Sequence, residues 1–329
     1  MAGLKPLIVR LRNWVGDVVL SVPTLRRLEE QGYALHLVGK GFAPALLRGF
    51  DWRVYKLAPT FRTRVIQLRQ LRRALNQPEG GPDCIVFPYS LSSALEARLS
   101  GLRACGFATE GRQLFLGQSL PRPRAGHTLE EYWALGSEFL HAPAPAPAPA
   151  CIQWRVASED VRQASELLGQ HHLSQPGSPG FILAVPYASG DFGGQSKHWP
   201  GFSGWLETAY QTHGCPVVLC PGPGEEALYT FSDRSQVLTL PKVDLGVFAA
   251  LAQRARLVIS NDTGPGHLAA ATGAATLSLL GPTPIERWGI RGLQTRTLQH
   301  QSGWPSIDEV NESVTDMLRR LHTQDHQRS

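Results

Sequence analysis

The sequence predicts an α/β protein built from two domains, each a doubly wound parallel sheet. Three observations carry this. Short apolar, β-branched runs alternate with helical stretches along both halves of the chain. A proline–alanine repeat, HAPAPAPAPA at 141–150, breaks that alternation near the middle. Alternating proline can neither continue a helix nor pair as a central strand, so it reads as a semi-stiff extended spacer. The length of 329 residues is that of two ordinary domains. The expected division is a first domain over 1–141, a linker over 142–150 and a second domain over 151–329.

Taken in order, the first half reads as strand 6–11, helix 17–31, strand 33–38, helix 42–49, strand 53–56 and helix 62–76, then strand 84–87, helix 91–100, strand 103–107 and a helix near 127–140. The second half reads as helix 158–170, strand 181–185, helix 202–213, strand 216–220, helix 224–232 and strand 236–239. Helix 244–254, strand 256–260, helix 265–273 and strand 275–280 follow, and a helix near 307–322 closes the chain, free to pack back on the first domain. Alternation of this kind implies helices on both faces of each sheet. Two such domains face to face would make a cleft, and ligands in these folds sit at the carboxyl ends of the strands.

Composition narrows the function classes. No apolar run approaches the 18 residues that a membrane span needs. The N-terminal stretch lacks the sections of a signal peptide, so a cytoplasmic location is expected. The five cysteines, Cys84, Cys105, Cys151, Cys215 and Cys220, include no CxxC pair and read as reduced thiols; no metal site is expected. Charge is uneven. Residues 1–150 carry 19 Lys and Arg against 11 Asp and Glu, whereas 151–329 carry 13 against 16. A basic first half suggests an anionic partner: nucleic acid, a membrane surface or a phosphorylated substrate. Nucleic acid is not favoured, because no recognised motif is present and aromatics are not interleaved with the arginines.

Five stretches could carry chemistry. In RLRNWVGDVVLSVP (10–23) a strand runs through a tight loop into a helix, with Gly16 at the turn. Asp17 reads either as a helix cap or as a carboxylate aimed at a ligand, where a general base would sit. In VPYASGDFGGQSKHWP (185–200) a buried strand opens into a glycine-rich loop that includes Ser189. Lys197, the only lysine between Lys56 and Lys242, reads as a solvated loop lysine or a phosphate ligand. In VVLCPGPGEEAL (217–228), Gly222-x-Gly224-x-x-Ala227 loosely matches a dinucleotide fingerprint, the basis of a rival NAD(P) reading. The match starts at the second strand of its domain and Pro223 stiffens the turn; Glu225 or Glu226 could instead reach a ribose hydroxyl. SNDTGPGHLAAATG (260–273) places Thr263, Gly264 and Gly266 where a helix presents unpaired amides to an anion. Asp262 precedes that helix as a cap or a partner of sugar hydroxyls, and His267 lies on its first turn. Finally, RTRVIQLRQLRRAL (62–75) sets Arg62, Arg64 and Arg69 beside apolar residues at helical spacing. It reads as a solvated face, or as a contact to anionic lipid head groups or a phosphorylated acceptor.

Together the stretches RLRNWVGDVVLSVPTLRRLE, GFATEGR, SKHWP, PGPGEE and SNDTGPGHLAAATGAATLSLLGPTPIERWG resemble glycosyltransferase family 9, the lipopolysaccharide heptosyltransferases. Their order covers nearly the whole chain, and the NWVGD loop resembles the heptosyltransferase II branch. The resemblance implies a GT-B fold, with two Rossmann-like domains facing a cleft, acceptor side first and nucleotide-sugar side second. It implies inverting transfer of a heptose from ADP-heptose to the anionic lipopolysaccharide core, without a metal or other cofactor. The enzyme would work at the inner face of the cytoplasmic membrane as a peripheral protein. By position, Asp17 would be the base. Lys197, Thr263, Gly264, His267 and Ser189 would bind the donor phosphates and their surroundings, Asp262 the sugar, and Glu225 or Glu226 the ribose. Gly16, Arg62, Arg64 and Arg69 would lie on the acceptor side. A family member with another acceptor or nucleotide sugar, or a non-catalytic nucleotide-sugar-binding protein, stands as the alternative.

Overall fold

The computed structural model describes residues 4–75, 83–142, 147–175, 180–188, 190–229, 231, 236–240, 242–300 and 303–328, with side chains through 323. The chain divides into two compact units, Met1–Pro149 and Ala150–Ser329. Residues 143–146 of the Pro-Ala repeat fall outside the described residues.

The first unit runs β1 (Lys5–Arg10), α1 (Val15–Glu30), β2 (Tyr33–Gly39), α2 (Ala43–Leu46), β3 (Arg53–Lys56), α3 (Phe61–Ala74) and β4 (Cys84–Val86). It continues with α4 (Leu91–Leu99), β5 (Ala104–Ala108), a 3₁₀ turn (Arg112–Phe115), β6 (Gln118–Pro121) and α5 (Thr128–Phe139). Its six strands are parallel, in the order β3-β2-β1-β4-β5-β6. The central strands are apolar on both faces, as burial between two helical layers demands: Leu7, Ile8 and Val9 are all at most 1% exposed.

The second unit runs α6 (Ser158–Gln170), β7 (Ile182–Val185), β8 (Asp191–Phe192), β9 (Gln195–Ser196), α7 (Phe202–His213), β10 (Val217–Leu219) and β11 (Val237–Thr239). Then come α8 (Leu245–Arg254), β12 (Leu257–Asn261), α9 (Gly264–Ala271), β13 (Thr276–Leu280), α10 (Ile285–Trp288), β14 (Thr295–Gln299) and α11 (Ile307–Arg328). Six parallel strands are ordered β11-β10-β7-β12-β13-β14, the same winding as the first sheet. In each sheet the strand order reverses beside the unit's first strand, at β1/β4 and at β7/β12. A doubly wound sheet opens a crevice for ligands at such a point.

Several expectations need correction. The helix expected over 224–232 does not form among the described residues. Gly224 takes φ +83°, and the carboxylates of Glu225 and Glu226 accept from the amides of Gly222 and Gly224, which closes tight turns instead. The sixth strand of each sheet, β6 and β14, escaped the apolar signal because both are half-exposed edge strands. The helix expected over 42–49 shortens to α2. The helix expected near 307–322 forms as α11, where Val310, Val314 and Met317 are buried in the core of the second unit and Asn311 accepts from the Trp205 indole on α7 at 3.0 Å.

Candidate active site

In the second unit, four segments converge at the β7/β12 switch point. β7 ends in Val185, and residues 186–188 and 190–199 fold over the end of β12. Asn261, 1% exposed, ties them together: its amide group donates to the Pro186 carbonyl at 2.6 Å and accepts from the Trp199 amide at 2.9 Å. The Trp199 indole donates to the Pro305 carbonyl at 2.8 Å, and its ring is buried in the core. Lys197 is thereby carried to Asp262, and Lys197 Nζ lies 2.8 Å from Asp262 Oδ2. Asp262 is 6% exposed. A carboxylate so buried needs a counter-charge, and Lys197 supplies it.

Gly193 and Gly194, at φ +58° and +77°, form the two-residue turn of the β8–β9 hairpin. Ser189 lies outside the described residues.

Thr263 caps α9 by its extended backbone, with no side-chain cap bond. The His267 amide donates to the Thr263 carbonyl at 3.3 Å, so the Gly264 and Gly266 amides precede the first intrahelical bond. Pro265 fits the first turn at no hydrogen-bond cost. A Cβ at Gly266 would stand 2.3 Å from Ser260 Oγ, so only glycine lets the helix start approach the strand end this closely. His267 is 5% exposed. At the end of β10, Glu225 Oε2 accepts from the Gly222 amide at 2.8 Å, and Glu226 Oε2 from the Gly224 amide at 2.9 Å. Both acids close the turn; Glu225 is the less exposed and faces Tyr187 and Tyr229, whose hydroxyls it helps burial to push up. The NAD(P) reading loses its phosphate turn here, because carboxylates fill the positions that a pyrophosphate would take.

In the first unit, Gly16 and Asp17 sit in the first turn of α1, whose cap is Trp14. Asp17 is therefore not the helix cap. It is 5% exposed; Tyr132 Oη of α5 donates to its Oδ1 at 2.5 Å, and Arg12 Nε lies 3.5 Å from the same oxygen. The Arg12 guanidinium stacks on Tyr89 at 4.1 Å, as does Arg122 at 3.8 Å. Tyr89 Oη donates to Glu131 at 2.7 Å, and Arg122 pairs with Glu131 at 3.3 Å. The Tyr89 loop is held in place by Arg112, fully buried, which donates to the Pro88 carbonyl.

The basic helix α3 divides its arginines. Arg64 is committed to structure, donating to Glu96 at 3.1 Å and to the Ala58 and Pro59 carbonyls at 2.8 Å each. Arg69 donates to the Leu99 carbonyl at 2.8 Å while staying exposed, and Arg62 is exposed. Sequence reasoning missed Arg12, Tyr89, Arg122, Tyr132 and Asn261. Arg12 and Asn261 lay inside quoted motifs; Tyr89, Arg122 and Tyr132 lay in none. Among the described residues no group of three or more His, Cys, Asp or Glu side chains could hold a metal ion.

The fold matches solved structures along nearly its whole length. ADP-heptose lipopolysaccharide heptosyltransferase II of E. coli superposes with a TM-score of 0.77 at 21% identity, covering 96% of this chain and 99% of that one. A family 9 glycosyltransferase from Veillonella parvula gives 0.77 at 17%, covering 97% and 98%. E. coli heptosyltransferase WaaC, solved with ADP, gives 0.66 at 18%, covering 95% and 99%. These likenesses show the GT-B fold. Among curated proteins, lipopolysaccharide heptosyltransferase 1 of Pseudomonas aeruginosa is 38% identical over 93 residues, 27% of this chain, and the match spans only 26% of that relative's length. The profile of glycosyltransferase family 9 (heptosyltransferase) matches residues 69–315, well over half of the chain, and so the chain belongs to glycosyltransferase family 9.

Proposed function

We propose that this chain is an inverting glycosyltransferase that moves a heptose from ADP-heptose to the inner core of lipopolysaccharide, most like heptosyltransferase II. The observation that carries the reading is the Lys197–Asp262 pair beside the open start of α9, at the switch point of a family 9 fold. Donor phosphates would take the Gly264 and Gly266 amides, the Thr263 hydroxyl and Lys197, with His267 beneath them. Asp262 would accept from sugar hydroxyls, and Glu225 is better placed than Glu226 to meet the ribose because it is the less exposed. Asp17 would remove the acceptor proton as the hydroxyl attacks the anomeric carbon opposite the departing ADP, through an oxocarbenium-like transition state. Lys197 and the helix amides would meet the charge that grows on the leaving phosphate, the task that a metal performs in other transferases.

Attachment to the membrane would be peripheral. On α3, Arg62, Ile66, Arg69 and Arg73 recur at helical spacing and are all exposed, with Phe61 40% and Leu99 51% exposed beside them. No described helix is long and apolar enough to cross a membrane. A basic face with apolar side chains suits an anionic bilayer surface.

The test is ADP release from ADP-heptose in EDTA, with heptose-free core and with core bearing one heptose. Release with the one-heptose core alone supports the proposal. Release with the heptose-free core alone moves the chain to the heptosyltransferase I step. Silence with both, beside a working control enzyme, overturns the donor and acceptor assignment and favours another nucleotide sugar or a binding protein.

A further inference from the structure

We infer that Tyr132 is a positioning residue for Asp17: with Arg12 it fixes one carboxylate oxygen, Oδ1, and leaves Oδ2 to take the acceptor proton. The inference rests on Asp17 being the base. Both polar neighbours of the carboxylate converge on Oδ1, and among the described residues no hydrogen bond reaches Oδ2. A carboxylate held at one oxygen cannot rotate freely, so the other oxygen keeps one direction.

The hold is rigid because the surroundings of Tyr132 leave it no choice. Its side chain is fully buried, and its ring meets Phe87 edge-on at 5.2 Å. Its helix, α5, is started by His127, whose ring accepts from the Leu129 amide while Glu130 accepts from the His127 amide. α5 lies tightly against α1. A Cβ at Gly136 would stand 2.4 Å from Thr24 Cγ2, and Arg27 of α1 donates to Ser137 at 2.7 Å. Burial and the Asp17 charge push the Tyr132 hydroxyl well above its ordinary value, so it remains a donor at every working pH. The other charged or titratable groups around the pair are Arg12 and Tyr89, with Glu131, Arg122 and Arg112 behind them. Burial opposes the charge of Arg12, and the neighbouring Asp17 carboxylate supports it.

Tyr132→Phe keeps the ring and removes only the donor. Expected is a fall in kcat of about tenfold, with the acceptor KM and the ADP affinity unchanged. On an Asp17→Asn background the same change should cost nothing further, because the base that it positions is gone. An unchanged kcat in Tyr132→Phe, or the full fall repeated on the Asp17→Asn background, would overturn the inference. An Asp17→Asn variant as active as wild type would instead sink the base assignment, which separates the two failures.

Discussion

Lys197 and Asp262, 65 residues apart, meet at 2.8 Å where β7 and β12 end side by side. The sequence suggested separate tasks for them, a phosphate for the lysine and a sugar for the aspartate. At this distance the lysine offsets the charge of the buried carboxylate, so the two proposed tasks do not conflict. Lys197→Ala should weaken ADP binding about tenfold or more, since a charge-assisted bond is lost and the remaining charge is repulsive. Asp262→Asn should change ADP affinity far less. In a double-mutant cycle read by calorimetry the two effects should be non-additive. Additive effects would mean that the pair does not act as a unit toward the donor.

Asp17→Asn keeps the acceptor of the Tyr132 hydrogen bond but removes the proton sink. Turnover should fall about 10²–10⁴-fold, the usual worth of a general base, while the Kd for ADP stays within about twofold. An unchanged kcat would remove Asp17 from the role.

The divergence between these residues and their partners explains how much the sequence disclosed. Asp17, Lys197 and the Asp262–Gly266 run stood out because each lies in the stretch that joins an apolar strand to the first turn of the next long helix, a local pattern. Their assembly did not. Strand order decides which strand ends are neighbours, and nothing in a β-branched run says that β7 lies between β10 and β12. Tyr132 reads locally as one more apolar position of α5; its hydroxyl matters only through a partner 115 residues away. Asn261 was overshadowed by the charged residue after it, although it ties two loops together. The helix expected over 224–232 failed for a local reason, since Gly224 and two carboxylates favour turns over helix propensity.

The exposed face of α3 makes the membrane proposal testable. Vesicles rich in anionic lipid should retain the protein at low salt and release it as ionic strength rises, because exposed charges are screened beyond about 10 Å at 0.1 M. Replacing Arg62, Arg69 and Arg73 with Gln should abolish most retention while thermal stability holds, except for the small cost of the Arg69 bond to Leu99. Replacing Arg64 should do the reverse, lowering stability through Glu96 and the two carbonyls it serves. Equal retention by the triple variant and wild type would assign the basic face to solvent.

A steric constraint lies at the start of α9. Ser260 is fully buried, and its hydroxyl donates to the Asn261 carbonyl at 2.6 Å, so it has no room to retreat from a new methyl group. Gly266→Ala would set Cβ 2.3 Å from Ser260 Oγ and 3.0 Å from Ser260 Cβ. Overpacking of this kind costs about 1–3 kcal/mol, or a Tm several degrees lower. The start of α9 must move outward to relieve it, carrying the Gly264 and Gly266 amides, so ADP affinity should fall with stability. Ser260→Ala in the same chain removes the nearer clash and should restore part of both. A Gly266→Ala variant that melts with wild type and binds ADP equally would show that the helix start does not need this approach. A variant that loses stability alone would separate the glycine's packing role from the anion site.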